Sequence, residues 1–377
     1  MKADQPDFKP VYILGAGASD MLGAPLVNNF LSKARELRYT PNFSNVVDEF
    51  DEVFEYQGKL FVTRQFLGID LDNLETLFSI LDMDWQIAKV RKNSKSQSPV
   101  YTFEELQKIR DSFFTVVIET LKRCVKNDDK DYIRIIQSLA GAEGATFITF
   151  NYDMAIENAL TFVENYPGKP NYSYTYGYQE EKLEPFPRPY GRLVLKLHGS
   201  ANWTYCTKCG LRSSTQYVTP KELNSNRASF HDQGCDEKGV LNVILPPSWH
   251  KHNYLDEITR IWSKSVREIS LATHLFVIGY SFPRTDVFFD QLLTLSLRNS
   301  RNLKNVMILN PSEDVGNLIK DFFDKHFLTR KVEFIRGKFE DLSSGDPPHA
   351  PIHPNSSERD IESRLWRAKR NAFERQQ

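Results

Sequence analysis

Seven short apolar runs recur along this 377-residue chain, and most of them stop at a small or polar residue. They are Val11–Leu14, Thr146–Phe150, Leu193–Leu197, Val243–Leu245, Leu275–Ile278, Val306–Leu309 and Val332–Ile335. All are rich in Val, Ile, Leu and Phe, and none alternates strictly between apolar and polar positions. A strand that buries one face alternates, whereas a strand buried on both faces does not. The runs therefore predict a parallel sheet covered by helices, and helical segments do lie between several of them. The fold class is α/β, a doubly wound parallel sheet.

Two stretches interrupt this pattern. From Ile69 to Leu139 the spacing is helical, first in LDNLETLFSILDMDWQIAKV and then in FEELQKIRDSFFTVVIETLKRCV. Thr102 stands as the cap of the second helix, ahead of Glu104 and Glu105. The polar segment RKNSKSQSPVY separates the two. The second interruption, Tyr205–Gly239, is polar, carries Cys, Gly and Ser, and shows little periodicity. The expected organisation is a core at 1–68 and 140–340, a helical insertion at 69–139 and a small Cys-containing module at 205–239. A linker and charged tail follow at 341–377, opening with SSGDPPHAPIHPNSSERD.

Composition narrows the function classes. A formal net charge of −1 gives no global case for a nucleic-acid surface. No apolar run reaches the ~18 residues that a membrane span needs, and the N-terminal MKADQPDFKPVYIL has no secretory pattern. Four cysteines do not make a disulfide framework in a chain of this length. A reduced, cytoplasmic protein is expected. No P-loop pattern occurs, and no cluster of carboxylates suggests a metal-dependent nuclease.

In an open α/β sheet, ligands bind outside the carboxyl ends of the strands. The residues at those positions form a consistent set: Gly15-Ala16-Gly17-Ala18-Ser19, Asn151-Tyr152-Asp153, His198-Gly199-Ser200, Gly279-Tyr280-Ser281 and Asn310-Pro311-Ser312. Gly15 and Gly17 let a backbone approach a phosphate, or simply make a tight turn. Asp20 stands where a hydride-transfer fingerprint requires a third glycine, which disfavours that chemistry. Asn151 and Asp153 can face a ligand together, or Asp153 can cap the next helix through an Asx turn. His198 is a general-base candidate because it titrates near working pH, or a satisfied structural histidine.

In their order along the chain, GAGAS, FNYD, KLHGS, GYS and ILNPS resemble the motifs of the sirtuin family. The resemblance spans Val11 to Asn310 as islands. It implies a Rossmann-like domain that binds NAD and cleaves its nicotinamide–ribose bond. Gly15, Ala16, Gly17, Ala18 and Ser19 would hold the pyrophosphate, and Asn151 the nicotinamide ribose or the attacking group. Asp153 would meet the nicotinamide carboxamide, and His198 would be the general base. Gly279 and Ser281 would touch the pyrophosphate and adenosine side, and Asn310 the adenosine ribose.

The departures from the family pattern are informative. Phe150 replaces the glutamine that precedes the asparagine in deacetylating members, and Leu26-Val27-Asn28-Asn29 follow Pro25 in place of Asp-Phe-Arg. Of the two Cys-x-x-Cys pairs of the family's zinc module, only Cys206-x-x-Cys209 is intact. His231 and Cys235 would complete a structural zinc site; the alternative is a metal-free loop with spare thiols. In these respects the chain resembles a divergent bacterial branch of NAD hydrolases in anti-phage defence. Members of this size resemble those paired with a HerA-type ATPase, and a homo-oligomer is expected. The rival readings are an NAD-dependent protein deacylase and a catalytically silent NAD or ADP-ribose sensor.

Overall fold

The structure is a computed structural model that describes residues 8–40, 43, 45–64, 69–91, 101–142, 144–162, 172–178, 191–225, 235, 240–245, 256–282, 287–298, 300–326 and 331–343. His231, most of RKNSKSQSPVY and the Pro/Ser-rich segment with its charged tail lie outside these residues. The fold divides into two compact units: residues 1–24, 126–197 and 252–377 make the first, and 25–125 with 198–251 the second.

The first unit is built on a seven-stranded sheet. Its strands are β1 (Pro10–Leu14), β2 (Thr146–Thr149), β3 (Ser173–Thr175), β4 (Gly191–Lys196), β8 (His274–Ile278), β9 (Asn305–Asn310) and β10 (Lys331–Arg336). The order across the sheet is β10-β9-β8-β1-β2-β4-β3, and every pairing is parallel. From β1 the chain moves outward one way to β2 and the edge strand β3, comes back one place to β4 between them, then crosses to β8 and continues the other way. Parallel crossovers are right-handed, so the two directions place their helices on opposite faces. Helices α5 (Lys130–Ala140) and α6 (Ala155–Thr161) belong to the first set, and α8 (Asp256–Leu271), α9 (Val287–Arg298) and α10 (Glu313–His326) to the second. This is the expected Rossmann-like, doubly wound sheet.

β1 is the centre of the core, with all five of its residues buried. Tyr12 stacks between Phe147 of β2 and Phe276 of β8, with ring centroids 5.3 and 5.0 Å away. Burial pushes its phenol well above the usual tyrosine range.

The second unit holds α1 (Phe30–Arg38), α2 (Val47–Arg64), α3 (Leu74–Arg91), α4 (Phe103–Cys124) and α7 (Pro220–Ser225). The other four pack against α4, whose Phe113 lies 4.7 Å from Phe78 of α3. Thr102 caps α4 as expected: its hydroxyl accepts from the Glu105 amide, and the Glu105 carboxylate accepts from the Thr102 amide in return.

This unit also contains a three-stranded antiparallel sheet, β6 (Gly210–Ser213), β5 (Gly199–Cys206) and β7 (Leu241–Ile244), in the order β6-β5-β7. The run Val243–Leu245, read with the parallel set, belongs here instead. A short apolar run does not reveal the direction of its partner. The exposed Leu241 shows that β7 leaves part of its length to solvent, as an antiparallel strand can. Among the described residues, no helix is long and apolar enough to cross a membrane.

Candidate functional site

β1 and β8 are neighbours whose chains leave in opposite directions, which makes their carboxyl ends the switch point of the sheet. Such a point opens a crevice where ligands of doubly wound folds bind. The turn after β1, Gly15–Ser19, and the turn after β8, Gly279–Ser281, meet there. The Gly15 amide donates to Ile278 O at 3.0 Å and the Gly17 amide to Gly279 O at 2.9 Å, while the Gly279 amide donates to Leu309 O at 3.0 Å.

The glycines have a steric reason in addition to any ligand. A Cβ on Gly15 would lie 2.5 Å from Tyr280 Cα. Gly279 has φ +60°, and a Cβ there would lie 2.5 Å from the Ala18 amide nitrogen. Backbone therefore packs on backbone, and only glycine fits. Ala18 and Ser19 are buried, whereas Ala16 and Gly17 are partly open to solvent.

Asn151 belongs to this cradle. Its Nδ2 donates to Gly15 O and to Ser19 Oγ, each at 3.1 Å. A carbonyl only accepts, so the atom facing Gly15 O must be the nitrogen. Both amide hydrogens are spent on the β1 turn, and the function that Asn151 has left to offer is its acceptor Oδ1. Thr149, unremarked in the sequence, fixes the backbone beneath it. The Thr149 hydroxyl donates to Leu14 O at 2.8 Å and accepts from the Asn151 amide at 3.1 Å.

Asp153 is buried, and its Oδ1 accepts from the Ala155 amide at 3.0 Å. The Asx-turn role anticipated for it is thus present at the start of α6. The Asp153 carbonyl accepts from the Lys196 ammonium. Asn310 is buried with its amide divided between two partners: Nδ2 donates to Tyr280 O and Oδ1 accepts from the Ser312 amide, both at 2.9 Å. It thereby holds the Gly279–Ser281 turn in place. Ser281 is exposed.

The next residue, Phe282, has φ +51°, a conformation that costs a bulky residue about 1–3 kcal/mol. The Phe150 ring stacks on Tyr280 at 4.5 Å and meets Phe289 edge-on at 4.8 Å.

His198 lies in the second unit, directly after the chain leaves β4. It is buried, and its carbonyl accepts from the Leu245 amide at 2.9 Å. Gly199 follows with φ +79°, and a Cβ there would run into the Val243 carbonyl. The His-Gly pair is thus the point where the chain bends sharply into β5.

The cysteines form the other candidate centre. Cys206 ends β5, Gly210 opens β6 with φ +74°, and Cys209 lies in the turn between them. The Lys208 amide points at Cys206 Sγ at 3.4 Å, and Cys235 Sγ lies 4.0 Å from Cys206 Sγ. All three sulfurs fall within 4.8 Å of one another. Tetrahedral zinc with bonds of ~2.3 Å separates its thiolates by about 3.8 Å, so the three thiols fit such an ion. Burial acts to raise the Cys206 thiol pKa, but donation from the Cys209 and Lys208 amides and from the neighbouring thiols outweighs it and leaves the thiol lowered.

Residues 145–335, about half of the chain, match the family model of the SIR2-like domain. No curated protein matches. Among solved structures the chain is similar to a Sir2 in complex with the inhibitor EX-527, 2'-O-acetyl-ADP-ribose and deacetylated p53 peptide. That likeness has 14% identity and a TM-score of 0.33, and covers 89% of this chain and 90% of that one. A second similar structure concerns the basis of sirtuin substrate affinity, at 14% identity and a TM-score of 0.35, covering 81% and 86%.

Proposed function

Since the chain belongs to the SIR2-like domain family, we propose that it is an NAD glycohydrolase that releases nicotinamide and ADP-ribose. The observation that carries this reading is Asn151: its amide hydrogens are tied to the β1 turn and its Oδ1 is left as an acceptor beside the glycine cradle. NAD supplies its own leaving group, because nicotinamide departs as a neutral molecule from a pyridinium and needs no general acid. The water oxygen bonds to the ribose carbon as the carbon–nitrogen bond breaks, and the electron pair of that bond stays with nicotinamide. Asn151 Oδ1 accepts a hydrogen bond from the attacking water or a ribose hydroxyl, and its partial negative charge favours the electron-poor ribose. His198 takes the proton that the water gives up. Gly15 to Ser19, Gly279 and Ser281 hold the pyrophosphate side and Asn310 the adenosine ribose, while Asp153 receives the carboxamide.

Phe150 favours water over an acylated peptide as the acceptor. Where deacetylating members of the family carry an amide, this chain carries a ring packed on Tyr280 and Phe289. The cellular setting we propose is NAD depletion in bacterial anti-phage defence, with the chain acting as a homo-oligomer beside a HerA-type ATPase. Sizing and co-purification with a neighbouring gene product test this setting, and a monomer with full, unregulated activity overturns it. A structural zinc ion on Cys206, Cys209 and Cys235, with His231 as the fourth ligand, completes the proposal.

Incubation of the purified protein with NAD alone is expected to release nicotinamide and ADP-ribose. Asn151→Ala and His198→Ala should each abolish it. Release that depends on an acylated peptide would instead make the protein a deacylase. Unchanged turnover in both variants would remove them from the chemistry.

A further inference from the structure

The KLHGS motif places a lysine in the otherwise apolar run Leu193–Leu197, and none of the roles above uses it. Lys196 ends β4 fully buried, as is Glu157 on α6. Lys196 Nζ lies 3.0 Å from Glu157 Oε1, and the two side chains are each 1% exposed. Its other recorded partner is the carbonyl of Asp153. Glu157 Oε2 is buried with no hydrogen-bond partner among the described residues.

A buried ion pair is a poor source of stability. Removing two charges from water costs about as much as their attraction returns, and well-packed apolar replacements are often as stable or more so. The unsatisfied Glu157 oxygen makes this pair poorer still. What an apolar pair cannot do is grip a carbonyl oxygen with a charged donor, and the carbonyl gripped here belongs to the Asn151–Asp153 turn. Asn151 is tied to Thr149, Gly15 and Ser19, and the Asp153 carboxylate to the Ala155 amide. Lys196 holds it from the side of β4, away from β1.

We infer that Lys196, oriented by Glu157, is a positioning residue that sets where Asn151 presents its Oδ1. The inference rests on the NAD-cleavage reading for its effect on rate, though not for its effect on the turn. A displacement of about 1 Å in a reacting group can cost on the order of a hundredfold in rate. Loosening this grip should therefore slow the chemical step and leave binding by the glycine cradle nearly intact.

The test is the full-length double variant Lys196→Met with Glu157→Leu, which removes both charges and leaves neither buried alone. Its thermal midpoint is expected at or above that of the parent protein. Amides of the turn from Tyr152 to Ala155 should exchange hydrogen faster, with kcat for nicotinamide release down about 10–100-fold and KM within about threefold. Should the double variant fail to fold, Glu157→Gln keeps the shape and is expected to lose about tenfold in kcat with the same KM. A folded variant with unchanged kcat overturns the inference, whatever its exchange shows. If the parent protein releases no nicotinamide, the NAD-cleavage reading fails by itself. The exchange measurement then still decides the grip: faster exchange confined to the turn supports it, and unchanged exchange overturns it.

Discussion

The glycine cradle and the cysteine hairpin are both candidate binding centres, yet they are assembled in opposite ways. The cradle joins residues from the ends of β1, β2, β8 and β9, spread over most of the chain, and backbone hydrogen bonds hold it together. The core thiols Cys206 and Cys209 lie within one hairpin, and only Cys235 comes from elsewhere. The cradle is a consequence of the sheet and is complete before any ligand arrives. Three thiols within 4.8 Å are a set that an ion would finish. The first kind of centre is sensitive to substitution and indifferent to ligand removal; the second is the reverse.

The sharpest way to break that contrast is to strip metal. Structural zinc contributes roughly 10 kcal/mol or more in isolated finger peptides. A strong chelator should therefore release about one equivalent of zinc and expose the β5 and β6 amides to hydrogen exchange, while β1 and β8 keep their protection. Protein that carries no metal, with a hairpin protected all the same, would erase the distinction.

Gly279→Ala comes next. A positive φ and a Cβ 2.5 Å from the Ala18 nitrogen combine there, and about 3 kcal/mol or more should be lost in chemical denaturation. A loss below about 1 kcal/mol would mean that the two turns can part without penalty.

Thr149→Val leaves Leu14 O and the Asn151 amide without the hydroxyl that joins them. It should cost about 1–2 kcal/mol and also slow nicotinamide release. Stability lost with turnover intact would detach Thr149 from the site. The smallest effect belongs to Gly210→Ala in the hairpin. There a positive φ should cost about 1 kcal/mol in thermal denaturation, and metal-loaded protein should mask part of the loss. A drop as large as that of Gly279→Ala would show that both turns are packed alike.

The parallel sheet was legible because strands buried on both faces read as unbroken apolar runs. β3 and β5 were not: Ser-Tyr-Thr and Gly-Ser-Ala-Asn-Trp-Thr-Tyr-Cys lack such a run, and pairing with neighbours makes them strands. The direction of the partner of β7 is likewise a tertiary fact. At the candidate site, the glycines and Asn151 were legible from their places at strand ends. Their mutual packing was not, because Gly15 and Gly279 touch across most of the chain length. Lys196 and Glu157 carried a readable signal, a charge inside an apolar run and a second charge four residues after Asp153. Only the fold shows that the two charges neutralise one another.

The position of β1 has a consequence for synthesis. It leaves the ribosome well before either partner, because it pairs with β2 near residue 146 and with β8 near residue 274. At roughly 5–20 residues per second, Pro10 emerges on the order of 13–50 s before its partner His274. Over that interval β1 has an unpaired edge rich in apolar residues, a liability that calls for chaperone cover or fast helix formation nearby. The turn at Gly15 has no Gly279 to close against until β8 has been made, so a nascent chain short of β8 holds no cradle.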